Sequence, residues 1–112
     1  MSFNIIIRAD AIRSLAFGSI SGTYAAIGTE FTHPMRIVKL TNLTDATVTF
    51  SYDGVVDHEV VPAGGFTLYD FCTNQAQTSG AFLAQGTIMY VKSSGAPTSG
   101  SVYVSAYYGK GD

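Results

Sequence analysis

The sequence predicts an all-β fold, a single antiparallel sandwich or barrel, and three observations carry that prediction. Apolar runs are short and are separated by Gly, Ser, Thr, Asn and Pro. No apolar spacing of i, i+3, i+4, i+7 persists beyond ten residues, so no long amphipathic helix is expected. Eight candidate strands follow one another at a spacing that argues for a sandwich or barrel rather than a parallel sheet with crossover helices.

In chain order those strands are Phe3–Ile7, Arg13–Ser19, Met35–Asn42, Ala46–Tyr52, Val55–Val61, Phe66–Phe71, Thr87–Lys92 and Val102–Tyr108. Residues 1–9 are either an N-terminal arm laid on a neighbour or the first strand of the domain's own sheet. Segment 10–17 has room for a helical turn but reads better as a strand leaving that arm, and 74–85 reads as a loop with a short helix. Pro62-Ala63-Gly64-Gly65 is a turn whose glycines permit positive φ, and the Ser/Gly-rich stretch 93–100 is a solvent-exposed connection. No linker or internal repeat divides the chain, so residues 1–112 are expected to form one domain.

Composition narrows the function. Charged residues are 12% of the 112, hydrophobic residues 46%, and there are seven Tyr and seven Phe. About 25% charge is usual for soluble domains, so much of this surface is expected to be covered by other protein. The net charge is −2 and no Lys/Arg cluster exists, which leaves no electrostatic footprint for nucleic acid. No apolar run reaches the roughly 18 residues of a spanning helix, and the N-terminus lacks a basic secretory n-region. The single cysteine, Cys72, has no partner for an internal disulfide and no basic or His neighbour to activate it.

The densest ionisable cluster is "FSYDGVVDHEVV", residues 50–61, with Asp53, Asp57, His58 and Glu59. Alternation of Ala46, Val48 and Phe50 with Thr47, Thr49 and Ser51 puts the even positions on the core face. A two-residue Asp53-Gly54 loop would set Phe50 opposite Asp57 and Val48 opposite Glu59, burying unpaired carboxylates. A three-residue loop, Tyr52-Asp53-Gly54, places Gly54 in a left-handed bulge position. It sets Phe50 opposite Val56, Val48 opposite His58 and Ala46 opposite Val60. That register is the expected one. It turns His58 to the core edge and Asp57 and Glu59 outward, so the three do not converge as a metal or acid/base site.

Other candidates carry little chemistry. His33-Pro34 is an extended loop. "GSISG" (18–22) has Ile20 where a nucleophile elbow needs serine. Asn42-Leu43-Thr44 is a formal sequon but reads as a turn in which Asn42 and Asp45 bond local backbone. If Phe66 and Leu68 face the core, Asp70 continues that face and accepts N–H groups of residues 73–75. Tyr103, Tyr107 and Tyr108 suit either a sugar-stacking platform or a protein contact. With no phosphate loop, dinucleotide fingerprint or Cys/His zinc spacing, no catalytic residue, metal or cofactor is expected.

Residues 36–74, "RIVKLTNLTDATVTFSYDGVVDHEVVPAGGFTLYDFCTN", together with 86–108, "GTIMYVKSSGAPTSGSVYVSAYY", resemble small virion proteins of tailed bacteriophages. The likeness is greatest to capsid decoration (cement) proteins of short-tailed phages. It implies a jelly-roll-like β-sandwich on the virion exterior, made in the host cytoplasm, that bridges subunits of the major capsid protein. It also implies a non-enzymatic homo-oligomer, dimer or trimer, without cofactor, nucleic-acid or membrane partner. Candidate interface residues are Phe3, Ile5 and Ile7 of the arm, Asp57, His58 and Glu59 of the hairpin, and Tyr103, Tyr107 and Tyr108. A neck or tail adaptor is the alternative within a virion, and a carbohydrate-binding module the alternative outside it.

Overall fold

The computed structural model describes residues 5–70 and 83–111. Among them lie nine strands: β1 (Ile5–Ala9), β2 (Arg13–Ala16), β3 (Ala25–Ala26), β4 (Ile37–Asn42), β5 (Val48–Ser51), β6 (Glu59–Val61), β7 (Phe66–Asp70), β8 (Tyr90–Lys92) and β9 (Ser101–Gly111). A single 3-10 turn, Phe17–Ser19, follows β2.

The pairings nest from the chain ends inward. β1 and β2 lie along β9, β3 along β8, β4 along β7 and β5 along β6, all antiparallel. Rolling that ribbon adds two further pairings, β4 with β9 and β5 with β8. Two sheets result, β1-β9-β4-β7 with β2 also on β9, and β3-β8-β5-β6. With β1 and β2 counted as one interrupted strand, this is the eight-strand jelly roll. The all-β sandwich expected from the sequence is the fold adopted.

Alternation along the strands builds the core between the sheets. Val38 and Leu40 of β4 and Val102, Val104 and Ala106 of β9 face Val48, Phe50, Val61 and Val91 of the other sheet, all essentially inaccessible to water. Ile20, Ile27, Phe31, Met35 and Met89 close the core from the connections. Each of these Val, Leu, Ile, Phe and Met side chains contributes about 1.5–3 kcal/mol of transfer free energy.

Two buried polar residues organise the connections: Arg13, not singled out from sequence, and Asn42, expected there to bond the local backbone of its turn. Residues 10, 11 and 12 oppose only 105 and 106, a bulge between β1 and β2. It delivers Arg13, 6% exposed, to the inner face. There Arg13 Nε donates to Thr29 O (2.7 Å), Nη1 to Ala11 O (2.8 Å) and Nη2 to Glu30 O (2.7 Å) and Asp10 Oδ2 (3.2 Å), above the Phe31 ring. A buried guanidinium is tolerated because its donors are satisfied. Asn42 Nδ2 donates to Ala46 O, Val61 O and Pro62 O, while Oδ1 accepts from Thr44 N and Oγ1. It thereby ties the 43–46 turn to β6.

Several boundaries differ from expectation. The expected strand 55–61 shortens to β6, and 13–19 ends in the 3-10 turn; β3 was not foreseen. β1 starts at Ile5 and runs to Ala9, pairing with β9 from Ile5↔Gly111 to Ala9↔Tyr107, so this stretch belongs to the domain's own sheet. Phe66 and Leu68 do not face the core. β4 sets Leu68 beside Lys39 and Phe66 beside Thr41 on the outer face, while Thr67 and Tyr69 stand opposite Leu40 and Val38. Composition favoured the Phe/Leu face of β7 as the buried one, but register against β4 decided otherwise.

Candidate functional site: two apolar surfaces

The segment 50–61 adopts neither short-loop register. β5 meets β6 as Val48↔Val61, Thr49↔Val60 and Phe50↔Glu59, leaving residues 52–58 as the loop. The loop is locked from within. Asp53 Oδ1 accepts from Val55 N (2.8 Å), Val56 N (3.0 Å) and Ser51 Oγ (2.9 Å), as an Asp in a turn is expected to do. Those N–H donors, Val56 first, hold the Asp53 carboxyl down at about 2. Ser51 Oγ accepts from Gly54 N (2.9 Å), and His58 Nδ1 accepts from Tyr52 N (3.0 Å). Gly54 has φ +77°, and a Cβ there would press on the Tyr90 ring at 3.2 Å.

The loop folds back over the outer face of its own sheet. Asp57 accepts from the Tyr24 hydroxyl and pairs with Lys92 Nζ at 2.9 Å; those bonds, Tyr24's first, lower its pKa. Burial and this bond to Asp57 push Tyr24 up to about 12. Asp57 is exposed, as expected. His58, expected at the core edge opposite Val48, is instead exposed, hydrogen-bonded through Nδ1 and tilted against Tyr52 at 5.3 Å. Glu59, expected on the outer face, shares the inner face with Phe50. It escapes an unpaired burial because Tyr69, from the other sheet, hydrogen-bonds to it, which raises the Tyr69 phenol to about 12. Tyr52 also rises to about 12, from burial and then the Glu59 charge. The Tyr52–Glu59–Tyr69 group thus joins the two sheets at one end of the sandwich.

With its polar groups committed internally, the loop displays valines. Val55 is 79% exposed and Val56 53%, and Val60 of β6 is 63% exposed. This is the first apolar surface.

The second lies on the opposite side, on the outer face of the β4 sheet. Phe66 (62% exposed) and Leu68 (55%) of β7 line up with Ile37, Lys39 and Thr41 of β4 and Tyr103, Ser105 and Tyr107 of β9. Lys39 Nζ lies 4.8 Å above the Phe66 ring. Of the three C-terminal tyrosines, Tyr103 and Tyr107 share this face. Tyr108 points to the other side, stacked on His33 at 3.9 Å.

The remaining candidates separate. Ile7 is exposed on β1, Ile5 is placed by its pairing with Gly111, and Phe3 and Cys72 lie outside the described residues. Asn42 is buried, so the sequon is a structural turn; Asp45 reaches the 93–100 connection instead, accepting from Thr98 N and its hydroxyl. Asp70 is exposed and lies 3.7 Å from Arg36 Nε, while residues 73–75, expected to cap it, lie outside the described residues. Among the described residues no three His, Cys, Asp or Glu gather to hold a metal ion, and no helix is long and apolar enough to cross a membrane.

The fold and these surfaces define a jelly-roll β-sandwich with two apolar outer faces. No protein-family model matches the chain, and no curated protein matches it. Among solved structures it is similar to a protein from the work entitled "Bacillus endospore appendages form a novel family of disulfide-linked pili". The TM-score is 0.52 at 13% identity, over 94% of this chain and 89% of that one. At that identity the likeness is one of fold.

Proposed function

We propose that the chain is a non-enzymatic structural protein of a phage virion that binds the outer surface of the capsid and stabilises the shell by bridging major capsid protein subunits. One observation carries the docking part of this reading: a rigid sandwich presents two apolar surfaces on opposite sides, and bridging requires two contacts on one body. The resemblance of residues 36–74 and 86–108 to decoration proteins supplies the capsid as partner. Exposed Leu68, set among Phe66, Tyr103 and Tyr107, favours a protein partner over a sugar, since its aliphatic side chain offers no stacking face. Many copies of a modest contact then resist rupture of the shell together.

The test is co-purification with DNA-filled heads, quantified against the major capsid protein. Roughly one copy or fewer per capsid subunit, distributed over the shell, supports decoration; about a dozen per virion would indicate the neck or tail instead. Absence from purified virions overturns the reading. Phe66→Asp with Leu68→Asp is expected to abolish head binding while the fold persists, because both side chains face solvent.

A further inference from the structure

The two apolar surfaces complement one another, and we propose that the valine loop of one copy docks on the aromatic face of a second copy. This rests on the reading of both surfaces as docking surfaces; an open stack of copies keeps one valine loop and one aromatic face free at its ends for the shell.

Shape is the first argument. The loop is a knuckle that holds Val55 and Val56 out in solvent, whereas the β4 sheet presents a face of side chains from three adjacent strands, among them Phe66, Leu68, Tyr103 and Tyr107. The knuckle is ordered before it meets anything, through Asp53, Ser51, His58 and Asp57. Little conformational entropy is therefore left to lose on binding.

Charge is the second. Asp57 is neutralised by Lys92, which leaves Asp53 as the anion of the knuckle. On the face, Arg36 and Asp70 lie together, which leaves Lys39 at its centre, without a carboxylate partner among the described residues. Knuckle against face brings Asp53 toward Lys39. Knuckle against knuckle, or face against face, would set like charges together, which disfavours an isologous dimer. Because the two surfaces lie on opposite sides of one body, the contact is heterologous: it closes into a ring if the rotation allows and otherwise continues as an open stack.

Sedimentation velocity on the full chain alone, from about 10 μM to about 1 mM, suits a contact of this modest size. The wild type is expected to form concentration-dependent oligomers. The Val55→Asp/Val56→Asp variant and the Phe66→Asp/Leu68→Asp variant are each expected to sediment as monomers. Mixed equimolar, they retain one intact knuckle and one intact face between them, so they are expected to form a 1:1 heterodimer and nothing larger. Circular dichroism melts check that both variants fold; should a double variant fail, Val55→Asp and Leu68→Asp singly make the same pair. A wild type that stays monomeric throughout overturns the inference, as does a wild type that associates while the mixed variants do not. Binding of wild-type chain to heads by a protein monomeric on its own would overturn this inference and leave the capsid reading standing.

Discussion

Gly100 joins the 93–100 connection to β9 with φ +87°, and a Cβ built there would lie 2.0 Å from Leu43 O, 2.8 Å from Leu43 C and 2.9 Å from Thr44 Cα. All three atoms are backbone, so no side-chain rotation relieves the contact. Gly100→Ala therefore carries two penalties. Left-handed strain is about 1 kcal/mol. Relief of the overlap requires the Leu43–Thr44 peptide to move, but Leu43 N donates to Ser101 O (3.0 Å) and Thr44 is held by Asn42 at 2.9 and 2.6 Å. Weakening two such hydrogen bonds adds about 2–3 kcal/mol. The expected loss is about 3–4 kcal/mol, a large share of the roughly 5–15 kcal/mol that holds a domain together. The control is Gly64→Ala, where φ is +76° and nothing lies within 4 Å of the added Cβ, so only the strain of about 1 kcal/mol remains. Urea denaturation of both variants gives the two numbers directly, and the Gly100 variant is expected to melt on the order of 15 °C lower than wild type. Losses within about 0.5 kcal/mol of each other would refute the close approach of Gly100 to the 43–44 turn.

Asn42→Asp keeps the shape but points a carboxylate at three carbonyl oxygens; a loss of about 3–5 kcal/mol in urea denaturation is expected. Lowering the pH should loosen the 52–58 loop before the sandwich unfolds. The Asp53 carboxyl is depressed from 3.8 to about 2, so its stabilising bonds are complete above about pH 4 and lost as the pH falls through about 2. Amide exchange at Val55 and Val56 reports that loss, and Asp53→Asn should abolish the pH dependence. Glu59→Gln should return the Tyr69 phenol from about 12 toward 10, read by the tyrosine absorbance titration. With the phenol pKa raised in the folded state, the Glu59–Tyr69 contribution is complete below about pH 10 and lost as pH rises through about 12.

The class of fold was legible because it follows from local rules. Alternation in residues 46–50 marked the inner face correctly at Val48 and Phe50. Turn chemistry placed Asp53 and Gly54 in a turn, with Asp53 bonded to local backbone and Gly54 at positive φ. The hairpin register was not legible. Loop length was chosen to avoid burying a carboxylate, but Tyr69, which satisfies Glu59, arrives from the other sheet. The face of β7 failed for a related reason: Phe66 and Leu68 look like core residues until pairing with Lys39 and Thr41 turns them outward.

By itself, then, the sequence determined what depends on neighbours within a few residues: strand periodicity, turn positions, sparse charge, and the absence of any short catalytic or metal-binding motif. The tertiary structure alone decided which Arg is buried, which tyrosines share a face, which acid is stapled to a phenol and where the exposed valines sit. Those outcomes depend on partners brought together from far apart in the chain, as when the nested ribbon sets Tyr69 against Glu59 and lays Asp57 on Tyr24 and Lys92.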